Sequence, residues 1–119
     1  MAQLKKVPEL LAPAGNFQCF ETAVRFGADA VYLGGREFGM RASPDNFDFD
    51  DLKRAVSIAH EKNVRVYLTV NTTPLCDEIN ALPEFLKNAG ACGIDALIIG
   101  DIGVLSLAKN ILPDTQIHM

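Results

Sequence analysis

No stretch of this 119-residue chain approaches the run of about 20 apolar residues that spans a bilayer as a helix. A secretory leader is missing too. Met1-Ala2-Gln3-Leu4-Lys5-Lys6 is basic, but Pro8 and Glu9 interrupt it and no apolar core follows, so no membrane association and a cytoplasmic location are expected. Positive charge is short: the net charge is −4, whereas surfaces that hold a phosphate backbone are usually basic. Cysteine is scarce, and Cys19, Cys76 and Cys92 are widely separated. None forms a C-x-x-C pair, and an odd number excludes complete internal pairing as disulfides. Three reduced thiols, mostly packed as small hydrophobes, are expected, with no metal site and no cofactor held within this chain. A Walker loop, H-E-x-x-H, G-x-S-x-G and any clustered Cys/His set are all missing. Gly34-Gly35-x-x-x-Gly39 departs from a dinucleotide fingerprint. No Ser or Cys stands beside a base in the sequence, and no catalytic residue is assigned.

What remains is an ordinary globular composition, 49% hydrophobic and 22% charged, with room for one domain and one core. Short apolar runs alternate with amphipathic stretches. Glu9-Leu10-Leu11-Ala12 reads as a first strand closed by Pro13-Ala14-Gly15. Asn16 can cap a helix whose apolar stripe is Phe20, Ala23, Val24 and Gly27. A second strand, Ala30-Val31-Tyr32-Leu33, ends in Gly34-Gly35, and Asp48 caps a helix carrying Leu52, Ala55, Val56 and Ala59 on one face. Asp50 and Asp51 lie in its first turn, where the helix dipole favours acids. Arg65 to Asn71 alternates Val66, Leu68 and Val70 against Tyr67, Thr69 and Asn71, as a strand does. From about Asp77 to Ala91 the period is helical again. Pro83 lies inside it and is expected to kink the helix or split it in two. Ala96-Leu97-Ile98-Ile99 forms a fourth strand, Leu105, Ala108 and Ile111 mark a fourth helix stopped by Pro113, and Thr115 to Met119 begins a fifth strand.

Strands alternating with helices imply a parallel sheet with helical crossovers. The chain also echoes itself. Gly27-Ala28-Asp29-Ala30-Val31-Tyr32-Leu33-Gly34 matches Gly93-Ile94-Asp95-Ala96-Leu97-Ile98-Ile99-Gly100 at each Gly, at the Asp and at the Ala. One helix–turn–strand unit used twice is how barrels of βα repeats are built. A flavodoxin-like domain is the rival, but it should close with a helix over its last strand, and this sequence stops within one. A complete barrel needs about 250 residues. The expected fold is therefore α/β, the N-terminal half of a (β/α)8 TIM-type barrel, with five parallel strands in sequential order and four helices. Residues 1–119 would form a single truncated domain of a longer parent.

Barrels bind ligands at the C-terminal ends of their strands. That rule selects Pro13 to Asn16, Gly34 to Asn46, Asn71 to Cys76, Gly100-Asp101 and His118. The second of these loops holds Gly34, Gly35 and Gly39 with Arg36 and Arg41. Arg41 can clamp a carboxylate or phosphate, or the loop can be a plain surface connector with Phe38 tucked under it. Asn71 can bond a substrate or tie down the next loop. Asp101 reads first as a helix N-cap, His118 as a barrel-rim residue sharing a face with Gln116, and His60 as a surface or packing residue of the second helix.

The segments Pro8-Glu9-Leu10-Leu11-Ala12-Pro13-Ala14-Gly15, Gly27 to Gly35 and Phe38-Gly39-x-Arg41 resemble the start of the collagenase-like U32 peptidase family. The likeness continues through Val70-Asn71-Thr72, Gly93 to Ile98 and Ile117-His118, and covers essentially the whole chain. It implies a parent that is either a collagenase-like protease or an oxygen-independent hydroxylase of RNA bases or ubiquinone precursors. The hydroxylases use an iron–sulfur cluster held by four cysteines, and those acting on RNA are linked to prephenate as hydroxyl donor. The cysteine signature of that family falls beyond Met119, and Cys19, Cys76 and Cys92 do not correspond to it. A 4Fe-4S cluster is thus an expectation for the full-length parent alone. Arg41, Asn71 and His118 match recurring family positions and form the expected substrate-binding set. Arg41 would pair with an anionic group, Asn71 would orient it, and His118 would bond to it or shuttle a proton. The parent's substrate would be protein or RNA. The alternative is a non-catalytic half-barrel that self-associates into a homo-oligomer through its exposed strand edges.

Overall fold

The computed structural model describes residues 9–34, 47–71 and 76–118, with side chains from residue 80 onward in the last of these. Five strands alternate with four helices. They are β1 (Leu11–Ala14), α1 (Phe17–Arg25), β2 (Ala30–Gly34), α2 (Phe49–Glu61), β3 (Arg65–Val70), α3 (Cys76–Ala91), β4 (Ala96–Ile99), α4 (Ile102–Ile111) and β5 (Gln116–His118). All four strand pairs are parallel, and the sheet order is β1-β2-β3-β4-β5. This sequential order settles the fold, because a flavodoxin-like sheet would place its first strand between its second and third.

The helices start where the side-chain chemistry places them. Asn16 Oδ1 accepts from the Cys19 amide at 2.8 Å, Asp48 Oδ1 from Asp51 at 2.7 Å, and Asp101 Oδ2 from Val104 at 3.0 Å. Each bond satisfies one of the amides that a helix start leaves without a partner. Asp101 is accordingly a cap, as its position implied.

Strand parity divides the sheet. Val31, Leu33, Val66, Leu68, Val70, Leu97 and Ile99 point to the helices and join Phe20, Leu52, Ala55, Leu86, Ala89 and Ala108 in the main core. Phe20 and Leu68 are fully buried there, and truncating a side chain so placed costs about 2–5 kcal/mol. Phe17, Phe20 and Phe47 pack edge to face or tilted, and the Arg54 guanidinium of α2 lies 4.2 Å over the Phe17 ring of α1. The opposite parity lines the other face of the sheet, where Ala30, Tyr67 and Ala96 form a second small cluster with Tyr32 and Ile98 against it. In a barrel this second face looks inward.

The internal echo has a physical cause. In each copy the Asp accepts from the amide of the preceding strand's entry: Leu10 N to Asp29 Oδ2 at 2.8 Å, and Val66 N to Asp95 Oδ2 at 2.7 Å. The same residue's own amide donates back, Asp29 N to Leu10 O at 2.8 Å and Asp95 N to Val66 O at 2.9 Å. Gly27 and Gly93 both sit at φ 89°, where side chains are strained. The turn between α2 and β3 uses Asn63 at φ 60° instead, and Arg65 occupies the position of the Asp.

Several boundaries differ from the sequence reading. β1 runs two residues later than expected and includes Pro13. Gly27 falls beyond α1 and is exposed, not part of its buried stripe. α3 is one continuous helix with Pro83 inside it, not two. Leu82, Phe85, Leu86 and Ala89 hold it to the core, which offsets the lost helical bond. Cys19 is exposed, not packed, and Cys92 is half-buried with its thiol 3.5 Å from the Phe49 carbonyl. β5 covers Gln116–His118, so Thr115 lies before it, and Met119 lies outside the described residues.

Candidate functional site at the inner face and strand ends

Parallel register stacks the inward residues in tiers. Tyr32 is level with Tyr67, Tyr67 with Ala96, and Ala96 with Gln116; one tier higher stand Gly34, Thr69, Ile98 and His118. Asn71 follows β3 directly and lies above Thr69. His118 therefore does share the inward face with Gln116, and Asn71 continues the face of Tyr67 and Thr69.

A connected group on this face is one that sequence reading passed over. Tyr67 is only 4% exposed, and its hydroxyl donates to the Glu9 carboxylate, 3.0 and 3.1 Å from its two oxygens. The Arg65 guanidinium pairs with the same carboxylate. The His118 ring lies over Tyr67, centroid to centroid 5.0 Å with a 35° tilt. Burial, then the bond to Glu9, pushes the Tyr67 hydroxyl above the ordinary tyrosine value, so it stays a protonated donor at neutral pH. In the sequence pattern Glu9 opens the first strand and Arg65 opens the third. Alternation along β3 already put Arg65 and Tyr67 on one face, but nothing local connected them to Glu9.

Higher up, the Thr69 hydroxyl donates to the Leu33 carbonyl at 3.2 Å and pins β3 to β2. Asn71 is half-buried and already engaged. A side chain at Gly100 would meet the Asn71 carbonyl oxygen at 3.2 Å, so glycine lets the ends of β3 and β4 close on each other. The Phe47 amide donates to the Gly34 carbonyl at 3.1 Å, which clips the start of α2 to the upper end of β2. Arg41 lies outside the described residues, as do Phe38 and Arg36. The structure thus places Asn71 and His118 on one face near the strand ends and does not describe the third member of that set. His60 is neither idle surface nor a ligand: its Nε2 meets Asp95 Oδ2 at 2.8 Å.

Among the described residues no group of three or more His, Cys, Asp or Glu converges to hold an ion, and Cys19 and Cys92 are both free thiols. Burial raises the Cys92 thiol above its ordinary value, the opposite of what a thiolate ligand needs. The described residues do not fit an iron–sulfur cluster.

Sequential parallel strands, helices on one face and a polar-aromatic tier on the other define part of a TIM-type barrel. The profile of peptidase family U32 matches residues 15–119, and the chain belongs to that family. It is 33% identical over 116 residues to a tRNA hydroxylation protein P1 of Bacillus subtilis, covering 98% of this chain and 28% of that protein. An uncharacterized protease of Methanocaldococcus jannaschii is 39% identical over 103 residues, 87% of this chain and 25% of the relative. A collagenase of Porphyromonas gingivalis is 33% identical over 112 residues, covering 93% and 27%. The solved structure of a U32 peptidase superimposes with a TM-score of 0.69 at 15% identity, over 94% of this chain and 49% of that one. The chain thus spans about a quarter of the length of the curated relatives it matches. Among the described residues no helix is long and apolar enough to cross a membrane.

Proposed function

We propose that this chain forms one wall of the active-site mouth of a cytoplasmic U32 enzyme that hydroxylates RNA bases rather than cleaving peptides. The carrying observation is the likeness of nearly the whole chain to the tRNA hydroxylation protein of Bacillus subtilis. The cluster that such chemistry uses would be held by cysteines outside this chain. Arg41 would pair with an anionic group at the mouth and Asn71 would orient it.

The test uses the full-length protein that contains this chain. Deleting its gene should remove a hydroxylated nucleoside from tRNA or rRNA digests analysed by mass spectrometry, and the anaerobically purified protein should contain iron. Replacing Arg41 with Ala should lower hydroxylation without changing the melting temperature. Unaltered nucleosides together with gelatin cleavage by the purified protein would overturn the proposal in favour of a peptidase.

A second reading concerns the chain on its own. Leu10 and Leu11 are 56% and 42% exposed beside β1, which supports self-association of the isolated chain. Sedimentation of the isolated chain tests it, and a stable monomer at micromolar concentration would refute it.

A further inference from the structure

On the inner face the odd strands are joined through their large side chains. Glu9 at the entry to β1, Tyr67 on β3 and His118 on β5 touch one another in turn. The even strands contribute Ala30 and Ala96, both fully buried, to the same cluster. Alternate strands filling one layer is how a barrel interior packs. The Tyr67 hydroxyl donates to the Glu9 carboxylate, 3.0 and 3.1 Å from its two oxygens. Arg65, two residues earlier on the same strand, holds that carboxylate. Tyr67 thus has its ring buried and its hydroxyl engaged, and the His118 ring lies on it at 5.0 Å with a 35° tilt.

Neighbouring strands, and not the length of β5, set the level of His118. It pairs with Ile98, and Ile98 with Thr69. One residue past this level β4 ends at Ile99 and β3 at Val70. The imidazole therefore belongs to the last inward tier of those strands, next to the end at which barrels bind substrate. An imidazole turns about its side-chain bonds, and a misplacement of about 1 Å in a site can cost about 100-fold in rate. The packed ring beneath His118 restricts that turning.

We propose that Tyr67 is a positioning residue that fixes the orientation of the His118 imidazole at the barrel mouth, with Glu9 and Arg65 holding its ring in place. The inference rests on the active-site reading above and does not depend on how much of the imidazole solvent reaches. His118 is the group that meets substrate, and Tyr67 acts through it.

The test is a double-mutant cycle in the full-length protein, returned to the gene-deleted strain, with hydroxylated nucleosides quantified by mass spectrometry at limiting expression. His118→Ala and Tyr67→Leu, which removes the lower ring, should each lower product about tenfold or more. Tyr67→Phe and Glu9→Ala both sever the tether and keep the ring, and each should lose about threefold. In the His118→Ala background all three losses should vanish, because a residue acting only through His118 has nothing left to act on. A merely structural Tyr67 would lower melting temperature and product together and keep its effect in that background. Losses that multiply with that of His118→Ala overturn the proposal, as does undiminished product in His118→Ala or Tyr67→Leu. Should Tyr67→Leu fail to fold, the two tether variants decide, and undiminished product in both overturns it. If the unaltered gene restores no hydroxylated nucleoside and the purified protein cleaves gelatin, the hydroxylase reading falls. The same cycle read on gelatin cleavage then decides for or against positioning by the same outcomes.

Discussion

Removing the Asp95 carboxylate should cost more stability than removing its repeat counterpart Asp29, although the two occupy the same motif. Asp95 Oδ2 accepts from the Val66 amide at 2.7 Å and meets His60 Nε2 at 2.8 Å. Val66 is fully buried, so in Asp95→Ala its amide loses an acceptor where water cannot reach. A stranded buried donor costs about 1–3 kcal/mol. The His60 contact adds little, because both side chains are partly exposed, 44% and 29%, and such pairs are worth about 0–1 kcal/mol. Asp95→Ala should therefore lose about 2–3 kcal/mol, and Asp95→Asn, which retains a neutral acceptor, about half of that. Asp29 accepts from Leu10, which is 56% exposed. Water can replace that bond, so Asp29→Ala should lose about 1 kcal/mol or less. Urea unfolding followed by far-ultraviolet circular dichroism measures the series. With a slope of about 1–3 kcal/mol per molar, Asp95→Ala should lower the midpoint by about 1 M. Losses below about 0.5 kcal/mol for both aspartates, or a larger loss for Asp29→Ala, would refute the view that these carboxylates terminate the strands.

Other consequences follow from single residues. Tyr67 keeps its proton in the folded chain above the ordinary tyrosine value of 10.0, while the unfolded chain releases it near that value. Its contribution is thus fully present below about pH 10 and declines as pH rises toward the folded value; urea midpoints across that range should show the decline in the unaltered protein and a shallower one in Tyr67→Phe. Gly27→Ala and Gly93→Ala should each cost about 1–2 kcal/mol, because φ is 89° at both, and Gly27→Asn should cost less than Gly27→Ala, since Asn63 already serves at φ 60°. Thermal unfolding would show equal losses for Asn and Ala if that reasoning is wrong. Pro83→Ala should raise the midpoint by restoring a bond within α3, by about 1–3 kcal/mol; an unchanged midpoint would mean the surrounding packing already compensates for it.

Much of this protein was legible in its residues because the deciding interactions are local. The caps at Asn16, Asp48 and Asp101 act three residues ahead, well within the reach of pattern reading. The stripe of Leu52, Ala55, Val56 and Ala59 lies buried as its spacing implied, and parity along β3 correctly put Tyr67, Thr69 and Asn71 on one face. The repeated Gly-x-Asp-Ala was visible as well, and with the family motifs it pointed to a βα barrel. Helix α3 broke that success, since the local cost of Pro83 was outweighed by core contacts that no window of sequence contains.

Tertiary structure alone decided what lies far apart in the chain. Strand order separates a barrel sheet from a doubly wound one, yet both have the same alternation of elements, because pairing between strands leaves no periodic trace. The Glu9 tether joins residues 56 and 58 positions away, and the ring of His118 meets Tyr67 across two intervening helices. Histidine at a strand end has a dozen readings in sequence. Only the packed sheet lays its ring over Tyr67, itself clustered with Ala30 and Ala96.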